Sequence, residues 1–147
     1  DYFFNSPTKA WFFREMMDAI PFDRHENVVS GLQVSSQVIS PSTPILIYPE
    51  GTRSVTGELQ PLKMGLGLLA FELNVPIVPA YIDGTFAALP KGKSMPRPGS
   101  VRVTFGQPIE MTPFRNQKGT RMNYGLYKEV TDRVRTALEQ LRDQGAD

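Results

Sequence analysis

Apolar positions along this chain recur with two different periods, and the period changes mark its elements. After Ser6-Pro7, a capping hydroxyl followed by a first-turn proline, Ala10, Trp11, Phe13, Met16 and Met17 return at helical spacing until Pro21 ends the run. Asn27 stands where it would cap a second helix, with Val28, Leu32, Ser35 and Ile39 on one face. Pro44 then opens Ile45-Leu46-Ile47-Tyr48, a β-branched run suited to a buried strand. Positions 49–62 are polar and turn-rich. Lys63–Leu73 predicts a short packed helix, Pro76–Ile82 a second buried strand, and Val101–Phe105 alternates as a third. From about Asn123 a long helix repeats Leu126, Val130, Val134, Leu138 and Leu141, with charges on its other face. Strands alternating with helices predict the α/β class: one domain over residues 1–147, with a mixed, partly parallel sheet flanked by helices. The Pro- and Gly-rich stretch 90–100 is expected as an internal loop.

Composition narrows the chemistry. With 147 residues, 40% hydrophobic and 21% charged, the chain is long and apolar enough to fold around a core. The absence of cysteine excludes disulfides, thiolate metal sites and a thiol nucleophile. A single histidine, His25, limits every mechanism that needs an imidazole base. No apolar run approaches the roughly 20 residues of a membrane span. The first residues lack the basic region of a signal peptide, and with aspartate in place of an initiator methionine the chain reads as a piece of a longer one.

Net charge is only +1, yet the charges are segregated. Between Lys91 and Arg121 stand seven bases (Lys91, Lys93, Arg97, Arg102, Arg115, Lys118 and Arg121) against one acid, Glu110. Such a stretch predicts a surface facing phosphates, on an anionic lipid or a nucleotide-like molecule; a plain solvated loop is the alternative. No nucleic-acid partner is expected, because the stretch has neither interleaved aromatics nor a binding motif.

The candidate chemistry begins where the Ile45–Tyr48 run ends. There the chain reads Tyr48-Pro49-Glu50-Gly51-Thr52-Arg53-Ser54, followed by Gly57, Lys63 and Gly65. Ligands of α/β proteins gather beyond the carboxyl ends of strands, so a polar loop here is a natural site. Arg53 offers a planar fork to a phosphate and Lys63 a mobile point charge. Glu50 is placed to fix the arginine or to accept a hydrogen bond from a hydroxyl. The plain alternative is a structural turn tied by a Glu50–Arg53 pair, and a hydrolase pairing Glu50 with Asp83 is a further one.

Tyr48–Ser54, continued through Gly57, Leu59, Lys63 and Gly65, resembles the third conserved block of the glycerolipid acyltransferases. Val75-Pro76-Ile77-Val78-Pro79-Ala80 with Asp83-Gly84 is similar to the family's fourth block, and Phe22-Asp23-Arg24 to its second. Phe105-Gly106-Gln107-Pro108-Ile109 resembles the end of the family's last strand. The resemblance implies transfer of a fatty acyl group from acyl-CoA or acyl-carrier protein to a hydroxyl of a lysophospholipid or glycerol phosphate. It implies that Arg24, Glu50, Gly51, Thr52, Arg53 and Lys63 form the acceptor-phosphate pocket, and that Pro76, Ile77, Val78 and Pro79 lie on the acyl-donor side. It implies no metal and no bound cofactor, only the acyl carrier as co-substrate, and peripheral contact with an anionic membrane on its cytoplasmic side.

One departure matters. The family's base is the histidine of a His-x-x-x-x-Asp pair upstream of the second block. Here no histidine precedes Phe22, and five positions beyond His25 stands Ser30. The catalytic pair is therefore expected upstream of residue 1, with a non-catalytic lipid-phosphate binding module as the alternative. The aromatic-rich first helix, with Trp11 and Met16 among its large residues, is expected either in the core or against lipid.

Overall fold

The strongest period in the sequence becomes the longest element. The computed structural model describes residues 43–115 and 123–145, together with 6–8, 11, 15–16 and 35–39. The chain divides into two compact units, Asp1–Thr43 and Pro44–Asp147. In the first, residues 7–8, 11, 15–16 and 35–38 are helical, inside the two helices that the apolar spacing predicts. Ser35 is buried, as the one-sided face required, whereas Trp11 and Met16 are exposed. Arg24, His25, Asn27, Val28 and Leu32 lie outside the described residues.

In the second unit the elements run α1 (Gly65–Leu73), β1 (Ala80–Asp83), α2 (Thr85–Ala88), β2 (Arg102–Phe105), α3 (Thr112–Arg115) and α4 (Tyr124–Gln144). Asn123 starts α4: its side-chain oxygen accepts from the backbone N–H groups of Gly125 at 3.1 Å and Leu126 at 3.3 Å. Two donors that the helix leaves unpaired are thereby satisfied, a cap typically worth about 1 kcal/mol. The buried stripe Leu126, Tyr127, Val130, Thr131, Val134, Leu138 and Leu141 follows the three- and four-residue steps of one helix face.

That stripe packs on α1, whose residues Leu66 to Ala70 are all buried. The contact is close because Gly67 has no side chain: a Cβ there would lie 2.1 Å from the Tyr127 carbonyl oxygen. Asn74 ends α1 in the left-handed conformation (φ 53°, ψ 45°), with its N–H directed at the Ala70 and Phe71 carbonyls.

β1 and β2 form an antiparallel pair with Ala80 opposite Phe105 and Asp83 opposite Arg102. An isolated bridge joins Ile77 to Ile109 further along. Between the two pairings, residues 78–79 face residues 106–108, so the second strand carries one extra residue; Gly106 N–H still donates to the Pro79 carbonyl at 2.8 Å, and the bulge follows it. Pro79 and Pro108 have no N–H to give, which keeps the ladder open there. The expected strands Pro76–Ile82 and Val101–Phe105 thus exist in shortened form. The helices and sheet together are α/β, as the alternation predicted, but the sheet is not the partly parallel one expected: every pairing among the described strands is antiparallel.

Ile45–Tyr48 is the correction. It joins no ladder, and Leu46 (72%) and Tyr48 (67%) are among the exposed large hydrophobics. The physical reason is that an apolar run here lacks a covering layer among the described residues: Val78, Val103 and Phe105 are exposed as well. Leu59, Leu62, Ile77, Tyr81 and Ile109 pack on the Leu66–Val134–Leu138 cluster, and no residue of Ile45–Tyr48 is among them. No helix of the described residues is long and apolar enough to cross a membrane.

Candidate anion-binding site

The loop after Tyr48 is shaped by its own residue types. Gly51 N–H donates to the Tyr48 carbonyl at 3.0 Å, closing a turn with Pro49 first inside and Gly51 last. Proline fixes the φ its position needs, and Gly51 takes φ +69°, which side chains resist. The loop's two ends meet where Lys63 N–H donates to the Pro49 carbonyl at 2.7 Å.

Glu50 holds the loop together from inside. Its Oε2 accepts from the backbone N–H of Gln60 at 2.8 Å, ten residues on. The Glu50–Arg53 pair that the structural-turn alternative required is absent among the described ion pairs. The far arm, Ser54 to Gln60, is a closed set of hydrogen bonds centred on Ser54. That hydroxyl donates to the Glu58 carbonyl at 2.8 Å and accepts from Gly57 N–H at 2.9 Å. α4 braces the same arm: Arg135 donates to the Gln60 carbonyl at 3.4 Å, and Arg142 stands 4.0 Å from Glu58. Leu59 and Leu62 root the loop in the core cluster.

The near arm behaves differently. Arg53 and Lys63 are exposed, and no described carboxylate pairs with either. The Lys63 stem runs over Gly51: a Cβ on that glycine would lie 3.7 Å from its Cγ. Thr52 between them is contacted from another part of the chain, for Lys91 Nζ donates to Thr52 Oγ1 at 3.2 Å. Two cations, Lys63 along Gly51 and Lys91 at Thr52, therefore lie against the stretch that continues into Arg53, while the Glu50 carboxylate is engaged by Gln60 N–H.

The structure thus brings Glu50, Gly51, Thr52, Arg53 and Lys63 onto one loop. Pro76 to Pro79 lie apart from it in sequence but rest on the same floor, since Ile77 packs on the cluster that receives Leu59 and Leu62. Pro79 is buried and Val78 exposed. Tyr81 of β1 joins that floor. Burial raises its phenol pKa, the Asp83 carboxylate adds to the rise, Arg142 opposes it, and Glu58 and Glu50 contribute further increases. Two participants escaped the sequence reading. Gln60 acts through its backbone and leaves no side-chain signal. Lys91 was visible only as one member of the basic stretch, 39 residues from its partner.

Comparison with known proteins places the chain in a family. A family model described as Acyltransferase matches residues 1–83. A 1-acyl-sn-glycerol-3-phosphate acyltransferase of Cocos nucifera is 30% identical over 115 residues, 78% of this chain and 37% of that protein. The chloroplastic BAT2 enzyme of the same name from Brassica napus is 32% identical over 106 residues, 70% of this chain and 30% of its own length. The chain therefore spans about a third of the length of these relatives. The crystal structure of PlsC, a 1-acyl-sn-glycerophosphate acyltransferase of Thermotoga maritima, superposes with a TM-score of 0.63 at 23% identity, over 96% of this chain and 54% of PlsC, and so shares its fold. On the match of the family model to more than half of its residues, the chain belongs to the acyltransferase family.

Proposed function

We propose that the chain carries the acceptor-binding part of an enzyme that transfers a fatty acyl group to the free hydroxyl of a 1-acyl-glycerol 3-phosphate. The observation that carries this reading is Arg53: an exposed guanidinium that no described carboxylate pairs, on a loop whose Glu50 carboxylate is already engaged by Gln60 N–H. A fork-shaped cation held clear of internal acids suits a phosphate arriving from outside. The relatives' printed names supply the lysophosphatidate acceptor and the acyl transfer.

In such a transfer the acceptor oxygen attacks the thioester carbonyl of acyl-CoA or acyl-carrier protein. The carbon–sulfur bond breaks, and the hydroxyl proton passes through a base to the leaving thiolate. Glu50 is a poor candidate for that base, because its carboxylate oxygen serves the loop. The role falls to the family's His-x-x-x-x-Asp pair, which residues 1–147 do not contain. This chain's share is to hold the phosphate with Arg24, Thr52, Arg53 and Lys63 so that the neighbouring hydroxyl is in place. Pro76, Ile77, Val78 and Pro79 border the acyl donor, with exposed Val78 offering apolar surface. The acceptor is an amphiphile, so peripheral contact with an anionic bilayer belongs to the same reading.

Calorimetric binding tests it without requiring turnover. Arg53→Lys, and separately Arg24→Ala, should weaken binding of a short-chain 1-acyl-glycerol 3-phosphate by about ten- to a hundredfold, the usual cost of a lost charge-assisted contact. Binding of acyl-CoA should change little. Equal losses for both ligands would make Arg53 a structural residue and overturn the reading.

A further inference from the structure

The basic stretch and the phosphate loop are separate in sequence, but the structure joins them through one lysine. Pro90-Lys91-Gly92-Lys93 is a turn closed by Lys93 N–H donating to the Pro90 carbonyl at 3.1 Å. Gly92 takes φ +89° at its third position, the left-handed conformation that such turns reserve for glycine. Lys91 thus occupies the outer corner of a turn of fixed shape. The base of the loop is fastened as well. Arg97 N–H donates to the Ala88 carbonyl at 2.7 Å, and Gly84 approaches Ser100 so closely that a Cβ would lie 2.0 Å from the Ser100 oxygen.

From that corner Lys91 Nζ reaches Thr52 Oγ1 at 3.2 Å, and the Thr52 hydroxyl in turn directs its proton at the Arg53 carbonyl, 3.4 Å away. An ammonium group carries three donors, and the threonine takes one. The other two are unclaimed among the described residues, beside an arginine and a lysine in the same condition. Cations gathered along the short stretch Gly51–Arg53 without a carboxylate partner among the described residues repel one another, and an arriving dianion relieves that repulsion.

We infer that Lys91 is a third cation of the acceptor site, so that a phosphomonoester is gripped from two loops, by Arg53 and Lys63 on one and Lys91 on the other. The inference rests on the proposed phosphate-binding role of Arg53 and deepens it. It separates Lys91 from the rest of the basic stretch, because the threonine contact aims Lys91 at the loop rather than at a lipid surface. Thr52 becomes a positioning residue whose hydroxyl sets where the ammonium sits.

Titration calorimetry of the chain with three probes tests this: a short-chain 1-acyl-glycerol 3-phosphate, the matching monoacylglycerol without phosphate, and CoA, whose 3′-phosphate is the competing phosphomonoester. Lys91→Ala should weaken binding of the phosphate-bearing acceptor about five- to tenfold and leave the monoacylglycerol and CoA within twofold. Thr52→Val, which keeps the side chain's shape, should cost about two- to threefold through the misplaced ammonium. Arg133→Gln on α4 removes the same charge elsewhere and should leave all three unchanged. If Lys91→Ala behaves like Arg133→Gln while Arg53→Lys still weakens the acceptor, Lys91 has no part in the site although the reading of Arg53 stands. An effect of Lys91→Ala confined to CoA also overturns the inference. Acceptor binding indifferent to both Arg53→Lys and Lys91→Ala overturns the two together.

Discussion

The α1–α4 helix pair and the near arm of the loop after Tyr48 treat their polar groups in opposite ways. Between the helices every group is answered. Thr131 donates its hydroxyl to the Tyr127 carbonyl at 2.8 Å, the Tyr127 hydroxyl donates to Glu72, and no described buried side-chain polar atom lacks a partner. In the near arm Arg53 and Lys63 are left without carboxylates, and Lys91 has only a threonine hydroxyl. Burial explains the first, since an unsatisfied polar group costs about 1–3 kcal/mol away from water. Exposure permits the second, because water solvates a free cation. What exposure does not explain is why Glu50, the one acid inside the sequence Tyr48–Ser54, is turned away to Gln60. A loop built for its own stability would pair it with Arg53. The contrast predicts that changes in the helix pair alter stability and leave ligand binding alone, whereas changes in the near arm do the reverse.

The largest expected effect is at Gly67. A methyl group there meets backbone, the Tyr127 carbonyl at 2.1 Å, and the Thr131 hydroxyl at 2.6 Å, so the helices must separate. Overpacking of this kind costs about 3 kcal/mol. Denaturant unfolding of Gly67→Ala should show that loss, with acceptor affinity of the folded fraction unchanged. Stability within about 0.5 kcal/mol of the parent would mean that the two helices are not locked at this contact.

A smaller effect, with a pH signature, belongs to Tyr127. Its phenol is pushed up to about 12, first by burial, then by the hydrogen bond to Glu72 and that carboxylate's charge. The folded state therefore holds this proton more tightly than the unfolded chain, whose phenol titrates near 10. The resulting stability is fully present below pH 10 and is lost as pH rises from 10 towards 12. Tyr127→Phe removes the hydrogen bond and leaves Glu72, which is exposed, to water, so it should cost about 1 kcal/mol at pH 7. More telling is the slope. The parent should lose stability faster than Tyr127→Phe above pH 10, and parallel profiles would refute the coupling.

How much of this was legible depended on how local the determining physics is. α4 could be read because 21 residues repeat one apolar face behind an asparagine cap, and Arg102–Phe105 because alternation is a property of neighbours. Ile45–Tyr48 misled, because an apolar run states that it prefers burial and not which surface remains to bury it. The chemistry-bearing types of the loop, Glu50, Arg53 and Lys63, stood out in sequence, but the partner of Glu50 did not, since a backbone N–H has no letter. Gly67 and Gly65 look alike on paper. Only the packing shows that one is crowded and the other has nothing within 4 Å. The Lys91–Thr52 contact depends on two turns and a fastened loop, none of which a residue spacing encodes.

The far arm of the loop, Ser54 to Gln60, allows the finest division, because it is exposed like the near arm but satisfied like the helices. Ser54 is its centre: its oxygen also receives Thr56 N–H at 3.3 Å and Gln60 Nε2 at 3.5 Å. Ser54→Ala removes all of these, but water can reach most of the groups released, so the loss should be about 1 kcal/mol. If this arm only supports the cations, acceptor affinity should fall less than threefold, through a looser Gln60 and hence a looser Glu50. A fall as large as that of Arg53→Lys would instead place Ser54 among the phosphate contacts. The division between a satisfied scaffold and an unsatisfied corner would then move one residue along the chain.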